Sequence, residues 1–370
     1  MASYDVIVVG AGISGAAAAY FLGEAGYEVL VLEKERIPRY KPCAGGVPKS
    51  VFRHFPFSFN EVIERQIAAV RYSFRGEREA IIPLPQRPIA MVMRDKLDAF
   101  VLEHARALVR EGTKVVDVDE SEKGVQVMTD DGQEFVARYL IGADGANSLV
   151  AGKLGLRRNK ALGVALEAEV RVDELTLTRY ADTALFEFGA VKKGYLWIFP
   201  KRDHLSVGIG VFAKGKADLR GILRREMARF GIEMSGAILH AHPLPIHLRA
   251  ERLHTACSLL IGDAAGLVDP LLGEGIRHAV ASARLAVEAI REGNLSGYTR
   301  RVQSQIGANL RVGSKLALIF YGLPRLSFSL AVCKPAATRA FLKIFEGRMG
   351  YTDLLRHVPK YLVGLIGGKA

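Results

Sequence analysis

Residues 4–33 constrain this chain more than any other stretch. Tyr4-Asp-Val-Ile-Val-Val is a short β-branched run that stops at Gly10-Ala-Gly-Ile-Ser-Gly15. The alanine-rich residues 13–25 then read as a helix, and Glu28-Val-Leu-Val-Leu is a second strand closing on Glu33. This is a complete βαβ unit in which each glycine has a physical task. Gly10 permits a tight turn, Gly12 lets a pyrophosphate approach the backbone, and Gly15 lets helix and strand pack closely. Free N–H groups and the helix dipole favour an anion at the helix start. Glu33 is placed to accept hydrogen bonds from ribose hydroxyls. The unit could serve NAD or FAD.

Two later segments bear on that choice. Tyr139-Leu-Ile-Gly-Ala-Asp-Gly-Ala-Asn-Ser148 delivers Asp144 at the end of an apolar strand. Leu259-Leu-Ile-Gly-Asp-Ala-Ala-Gly266 delivers Asp263, and Gly275-Ile276 then opens a helix over Arg277 to Ile290. A second ligand-facing helix start so late in the chain implies a discontinuous nucleotide domain. An extended FAD needs this piece, with Asp263 on the ribityl hydroxyls and the 275–276 N–H groups at the isoalloxazine edge, whereas NAD does not. Residues 95–109 read as a helix opened by Arg94, whose cation opposes the helix dipole unless it meets an anion.

The set Gly10-x-Gly-x-x-Gly, Glu33, Arg94-Asp-Lys-Leu-Asp, Gly-Ala-Asp144-Gly and Gly-Asp263-Ala-Ala-Gly resembles the flavoprotein superfamily of para-hydroxybenzoate hydroxylase. Two further stretches resemble its geranylgeranyl reductase family: Lys41-Pro-Cys-Ala-Gly-Gly-Val47, similar to that family's cysteine-bearing flavin loop, and Gly194-Tyr-Leu-Trp-Ile-Phe-Pro200, similar to its prenyl-cavity segment. Ala44 stands where many relatives carry glycine. The resemblance implies cofactor contacts from Gly10, Gly12, Ser14, Gly15, Glu33, Lys34, Cys43, Ala44, Gly46, Arg94, Val116, Asp144, Asp263, Gly275 and Ile276. It implies a catalytic thiol at Cys43, and a lipid-facing wall of Tyr195, Trp197 and Phe199, which as alternate strand residues share one face.

The implied fold is α/β: a discontinuous Rossmann-like FAD domain from residues 1–70, 91–155 and 255–295, a mostly antiparallel substrate domain from 71–90 and 156–254, and a helical basic region over 296–370. The implied activity is flavin-dependent saturation of geranylgeranyl double bonds, on a prenyl diphosphate or isoprenoid lipid, with NAD(P)H or reduced ferredoxin as donor. The alternative is an FAD-dependent monooxygenase of an aromatic or quinone-type substrate. A lipid binder without catalysis is a third reading, opposed by the complete flavin motifs.

Charge and cysteine content narrow the setting. Lys and Arg exceed Asp and Glu by 12. From Arg300 onward twelve basic residues meet only Glu346 and Asp353, so that region alone carries +10. Basic residues spaced by apolar clusters suit a helix on an anionic membrane or an acidic partner, and equally a helical cap that packs its apolar face on the main body while Lys and Arg face water. Nucleic acid is not expected, because no recognition motif accompanies the charge. Cys43, Cys257 and Cys333 are too few and too scattered for a disulfide framework, which suggests a reduced, cytoplasmic chain at most peripheral to the inner membrane face. Cys257 and Cys333 sit in apolar runs and read as ordinary packing thiols. His240, His242 and His247 lack carboxylate or thiolate partners at ligand spacing, so no metal is expected and they read as solvent-facing strand residues.

Overall fold

The computed structural model describes residues 3–122, 124–157, 162–212, 217–247, 249–332 and 334–354. The chain forms two compact units, each drawn from three segments: Met1–Lys41, Arg94–Leu162 and Leu244–Leu310 in the first, and Pro42–Met93, Gly163–Pro243 and Arg311–Ala370 in the second. The architecture is mixed α/β with parallel and antiparallel sheets and a helical C-terminal region, as the sequence implies.

In the first unit, strands Leu108–Arg110, Val29–Leu32, Ser3–Val9 and Glu134–Gly142 lie side by side, all parallel. The far edge of Glu134–Gly142 is shared. Its first half pairs antiparallel with Gly124–Thr129, itself hairpinned to Val115–Ser121, and its second half pairs parallel with Ser258–Leu260. The sequence follows that division: burial alternates through Glu134–Arg138 and becomes continuous through Tyr139–Gly142. Strands flanked by parallel neighbours are covered on both faces and so become apolar throughout. Helix Ile13–Glu24 is buried nearly all round because Ala16–Ala19 present no bulk, and it packs against helix Ile276–Arg291. The expected helix over 95–109 spans only Arg94–Glu103; Leu108–Arg110 instead extends the sheet beyond Val29–Leu32.

The second unit holds a seven-stranded sheet in the order His240–Pro245, Leu162–Val170, Leu205–Val211, Gly194–Pro200, Thr183–Phe188, Ala69–Phe74 and Arg78–Pro83. Its named pairings are antiparallel except that Thr183–Phe188 runs parallel to Ala69–Phe74. One face carries aliphatic residues under helix Leu219–Arg229, which contributes Leu223 and Met227. The other face is aromatic: Tyr72, Phe74, Phe188, Tyr195, Trp197 and Phe199, with Phe328 and Val332 packed on it. Residues 42–70, read from sequence as part of the nucleotide domain, cluster here instead. Their strands Gly46–Pro48 and Ile63–Ile67 pair with Ile89–Val92 in a three-stranded sheet, a long-range pairing that composition does not signal. The basic C-terminal region is divided too: Tyr298–Val302 belongs to the first unit, and the helices from Arg311 onward to the second.

Candidate functional site

The nucleotide motif takes the shape its glycines require. Gly10 has φ +96°, and a Cβ there would lie 2.6 Å from the Ala143 carbonyl oxygen. A Cβ on Gly15 would come 1.8 Å from the Gly10 carbonyl oxygen, so only glycine lets this helix meet this strand. Gly12 is the N-cap of helix Ile13–Glu24 and supplies no side chain to the free N–H groups. Ser14 is buried against the Gly262 turn.

Around Gly12 the structure gathers cations that sequence reasoning missed. The Arg39 Nη2 and Lys41 Nζ atoms lie 3.5 and 4.0 Å from where a Gly12 Cβ would sit. Arg39 is held 3.6 Å from Glu33 and 3.5 Å from Asp98. Lys41 is 3.8 Å from Asp263. Burial, reinforced by the Arg94 charge, holds the Lys41 ammonium below the usual lysine range. An anion beside these groups would relieve that penalty. Their sequence signal was two cations just after the acid that closes the second strand, and no spacing rule distinguishes it.

The sequence-read acids are found in different situations. Glu33 is buried and accepts N–H groups from Ala11 at 2.7 Å and Glu35 at 3.1 Å, which leaves lone pairs for a hydroxyl. Lys34 is exposed and only 4.0 Å from Glu35. Arg94 is 6% exposed, and its guanidinium forks onto Asp98 through two 2.9 Å hydrogen bonds one helical turn away. That pairing answers the dipole argument from within the helix itself. Asp144 accepts from Ser148 Oγ and from the Leu149 and Val150 N–H groups, so it caps helix Leu149–Lys153; burial nevertheless raises its carboxyl above the usual range.

Asp263 sits 3.5 Å from the position a Gly275 Cβ would take. Gly275 is the N-cap of Ile276–Arg291 and again provides no side-chain cap, so a second open helix start lies beside this carboxylate. Arg157, not foreseen, fixes the Asp263 turn by donating to the Asp263 and Ala264 carbonyls at 2.8 and 3.2 Å. Val116 occupies a β-bulge: Met128 faces Asp117 and Thr129 faces Val115, so Val116 falls outside the ladder. Two glycine-opened helix starts, cations at the first and acids at both fit the diphosphate and polyol of an extended FAD.

In the second unit, Cys43 begins a loop that Lys201 secures. The Lys201 side chain is fully buried and donates to the Ala44 carbonyl at 2.9 Å and the Val92 carbonyl at 2.8 Å. Burial pushes this ammonium down; Glu169 is the strongest opposing charge, followed by Cys43, Glu167 and Glu64. Cys43 is partly exposed, and its Sγ accepts the Gly45 N–H at 3.4 Å. Gly45 has φ +70°, and a Cβ there would strike the Val92 carbonyl oxygen. Ala44 packs against the aromatic cluster, and a Cβ on Gly46 would come 3.1 Å from the Phe199 ring, so the loop adjoins the aromatic wall. Lys201 follows directly on the aromatic segment, yet an internal lysine gives no sequence sign that it is buried.

Tyr195, Trp197 and Phe199 do share one face and are each 9% exposed or less. The Trp197 indole lies over Gly208, whose missing side chain makes the room. Its N–H finds no acceptor among the described residues. His247 is buried at 4% exposure with Nδ1 3.2 Å from the Gly266 carbonyl, which corrects the solvent-facing reading; the strand ends at Pro245, and His247 turns inward. Cys257 is partly exposed, and its N–H donates to Glu120. Cys333 lies outside the described residues. Among the described residues no three His, Cys, Asp or Glu side chains gather to hold a metal.

Comparison with known proteins agrees with this geometry. The family described as "FAD binding domain" matches residues 3–292. Menaquinone reductase of Mycobacterium tuberculosis (strain ATCC 25618 / H37Rv) is 33% identical across 86% of this chain and 84% of its own. Geranylgeranyl diphosphate reductase of Synechocystis sp. is 28% identical across 85% of each. Among solved structures, a geranylgeranyl bacteriochlorophyll reductase-like protein of Thermoplasma acidophilum superposes with a TM-score of 0.74 at 22% identity, over 85% of this chain and 87% of that one. The halogenase PltM, solved with FAD, gives 0.66 at 19% identity over 84% and 75%; both likenesses speak for the fold.

Proposed function

We propose that this chain, which belongs to the FAD-binding domain family and is an FAD-dependent oxidoreductase, saturates isolated double bonds in a polyprenyl chain of the geranylgeranyl type. The observation that carries the reading is the aromatic sheet face of Tyr195, Trp197 and Phe199 with the Cys43 loop packed beside it. The names of the reductase relatives support it.

FAD held in its reduced form would supply the hydride for one alkene carbon; the other carbon needs a proton, so that one C=C π bond is exchanged for two C–H bonds at the expense of the flavin's two electrons. NAD(P)H or a reduced ferredoxin would restore them. The residues of the chain answer the difficulty of this reaction, which is that an unactivated alkene develops positive charge as it reacts. Aromatic faces attract such charge, and a water-free wall prevents its capture by solvent. Cys43 Sγ is the group from which the proton would reach the substrate, and Lys201 holds that loop in place. In the first unit, Arg39 and Lys41 would bind the cofactor diphosphate, Glu33 the ribose and Asp263 the ribityl hydroxyls.

The test is mass spectrometry of a geranylgeranyl lipid or diphosphate after incubation with chemically reduced holoenzyme. Products heavier by two hydrogens per saturated bond support the reading, and Cys43→Ser should slow their formation or shift the number of bonds reduced while FAD is retained. Addition of oxygen to an aromatic or quinone substrate, with prenyl chains untouched, would replace it with the monooxygenase alternative.

A further inference from the structure

The helical segment following Arg311 is apolar on two opposite sides. Inward, Ala317, Phe320, Phe328 and Val332 pack within the second unit, the last three on the aromatic cluster. Outward, Leu318, Ile319, Leu323, Leu326 and Leu330 are 67, 62, 58, 54 and 43% exposed. Of twelve large hydrophobic side chains exposed among the described residues, these five fall within thirteen consecutive positions, and the others are scattered. Leu318 and Ile319 lie in helix Ala308–Gly322, and Leu323, Leu326 and Leu330 follow across the break at Pro324. A concentrated apolar surface of this kind marks an interaction site, whereas single exposed leucines do not.

The charge around it identifies the partner. Lys315, Arg325 and Lys334 are exposed within the same segment, and Arg339 and Lys343 follow on the next helix. The only acids among described residues 311–354 are Glu346 and Asp353, both half-buried. A second copy of this face would bring like charges together, which opposes self-association. We propose that residues 315–332 and Lys334 form a docking surface for an anionic lipid bilayer, in which the five aliphatic side chains enter the acyl boundary while the flanking lysines and arginines meet phosphate headgroups. Among the described residues no helix is long and apolar enough to cross a membrane, so the segment would lie in the interface plane. The inference stands on exposure and charge, independently of the reductase chemistry.

The experiment is cosedimentation of the full chain with phosphatidylglycerol-containing vesicles and with pure phosphatidylcholine vesicles, at low and at high salt. Wild type should pellet with the anionic vesicles and be released as salt shortens the screening length. Lys315→Gln with Arg325→Gln should weaken binding roughly tenfold or more, since each engaged cation contributes about a fivefold factor. Leu318→Ser with Ile319→Ser and Leu326→Ser should weaken it by at least about tenfold through lost apolar burial, with an unchanged melting temperature. Absence of vesicle binding by wild type, or binding as tight as wild type by either variant, overturns the proposal. A dimer dissolved by the serine substitutions also overturns it, because the face would then belong to a second copy. Prenyl reduction assayed in detergent separates the two readings: turnover without vesicle binding removes only the docking surface, and vesicle binding without turnover removes only the chemistry.

Discussion

Replacing Lys201 by Met isolates what a buried ammonium does for the Cys43 loop. The change keeps the apolar stem and removes the charge and both donors. The Ala44 and Val92 carbonyls lose bonds of 2.9 and 2.8 Å. A hydrogen bond from a charged donor contributes about 1.5–3 kcal/mol, so the gross loss is about 3–6 kcal/mol. Relief of the buried ammonium opposes this, and its direction is visible in the lowered lysine pKa. A net destabilisation of about 2–4 kcal/mol should remain, comparable with other broken buried charges. At about 2–4 °C per kcal/mol for a unit of this size, the melting temperature should fall by roughly 4–16 °C. The second readout is alkylation of Cys43 at alkaline pH, where loss of the nearby ammonium does not limit the thiolate: with its neighbouring carbonyl unpinned, the loop opens more often and iodoacetamide should react faster. Lys192→Met, at an exposed position, serves as the control and should change neither quantity. A Lys201→Met protein with wild-type stability and wild-type alkylation would refute the claim that this side chain holds the loop.

Two further outcomes follow from the first unit. His278 is buried, and desolvation, aided by Arg277, pushes its imidazole down to about 3 despite Glu274 lying 3.6 Å from Nδ1. An unfolded histidine titrates near pH 6.5, so the folded state resists a proton that the unfolded state accepts; stability is intact above that pH and is lost as pH falls toward 3, by about 1.4 kcal/mol per unit. Urea unfolding at pH 7 and pH 5 should show about 2 kcal/mol of this loss in wild type and its disappearance in His278→Asn, and parallel curves for the two proteins would contradict it. Gly15→Ala drives a methyl against the Gly10 carbonyl at 1.8 Å, so the purified variant should release little or no FAD on acid treatment; stoichiometric FAD would show that the strand–helix contact can relax.

The parts legible from sequence were those whose causes are local. Gly10, Gly12, Gly15 and Glu33 announce themselves because turn, helix start and strand end follow within one βαβ unit. The strands Thr183–Phe188 and Leu205–Val211 are likewise local, each a largely apolar run that begins just after a polar turn at Asp182 or Asp203-His204. What escaped detection depends on distant partners. Lys201 reaches Ala44 across 157 positions and Arg157 reaches Asp263 across 106, so nothing near either residue marks it. Residues 108–110 look like a helix end until Val29–Leu32 offers a strand edge to pair with. His247 reads as solvent-facing because no carboxylate or thiolate stands at ligand spacing from it, whereas the chain after Pro245 turns it inward.

Helix Ile13–Glu24 rests against helix Ile276–Arg291, and strand Ser3–Val9 pairs with Glu134–Gly142. On the ribosome this ordering is a wait. The strand–helix motif emerges well before its last partner, Ile276–Arg291, which follows some tens of seconds later at about 5–20 residues per second. Throughout that interval the uncharged stretch Val6–Leu22 is without its final cover. Contacts of such high sequence separation also slow the search for the native arrangement. A ribosome that stops short of Ile276 therefore releases a chain with its nucleotide-binding half unfinished.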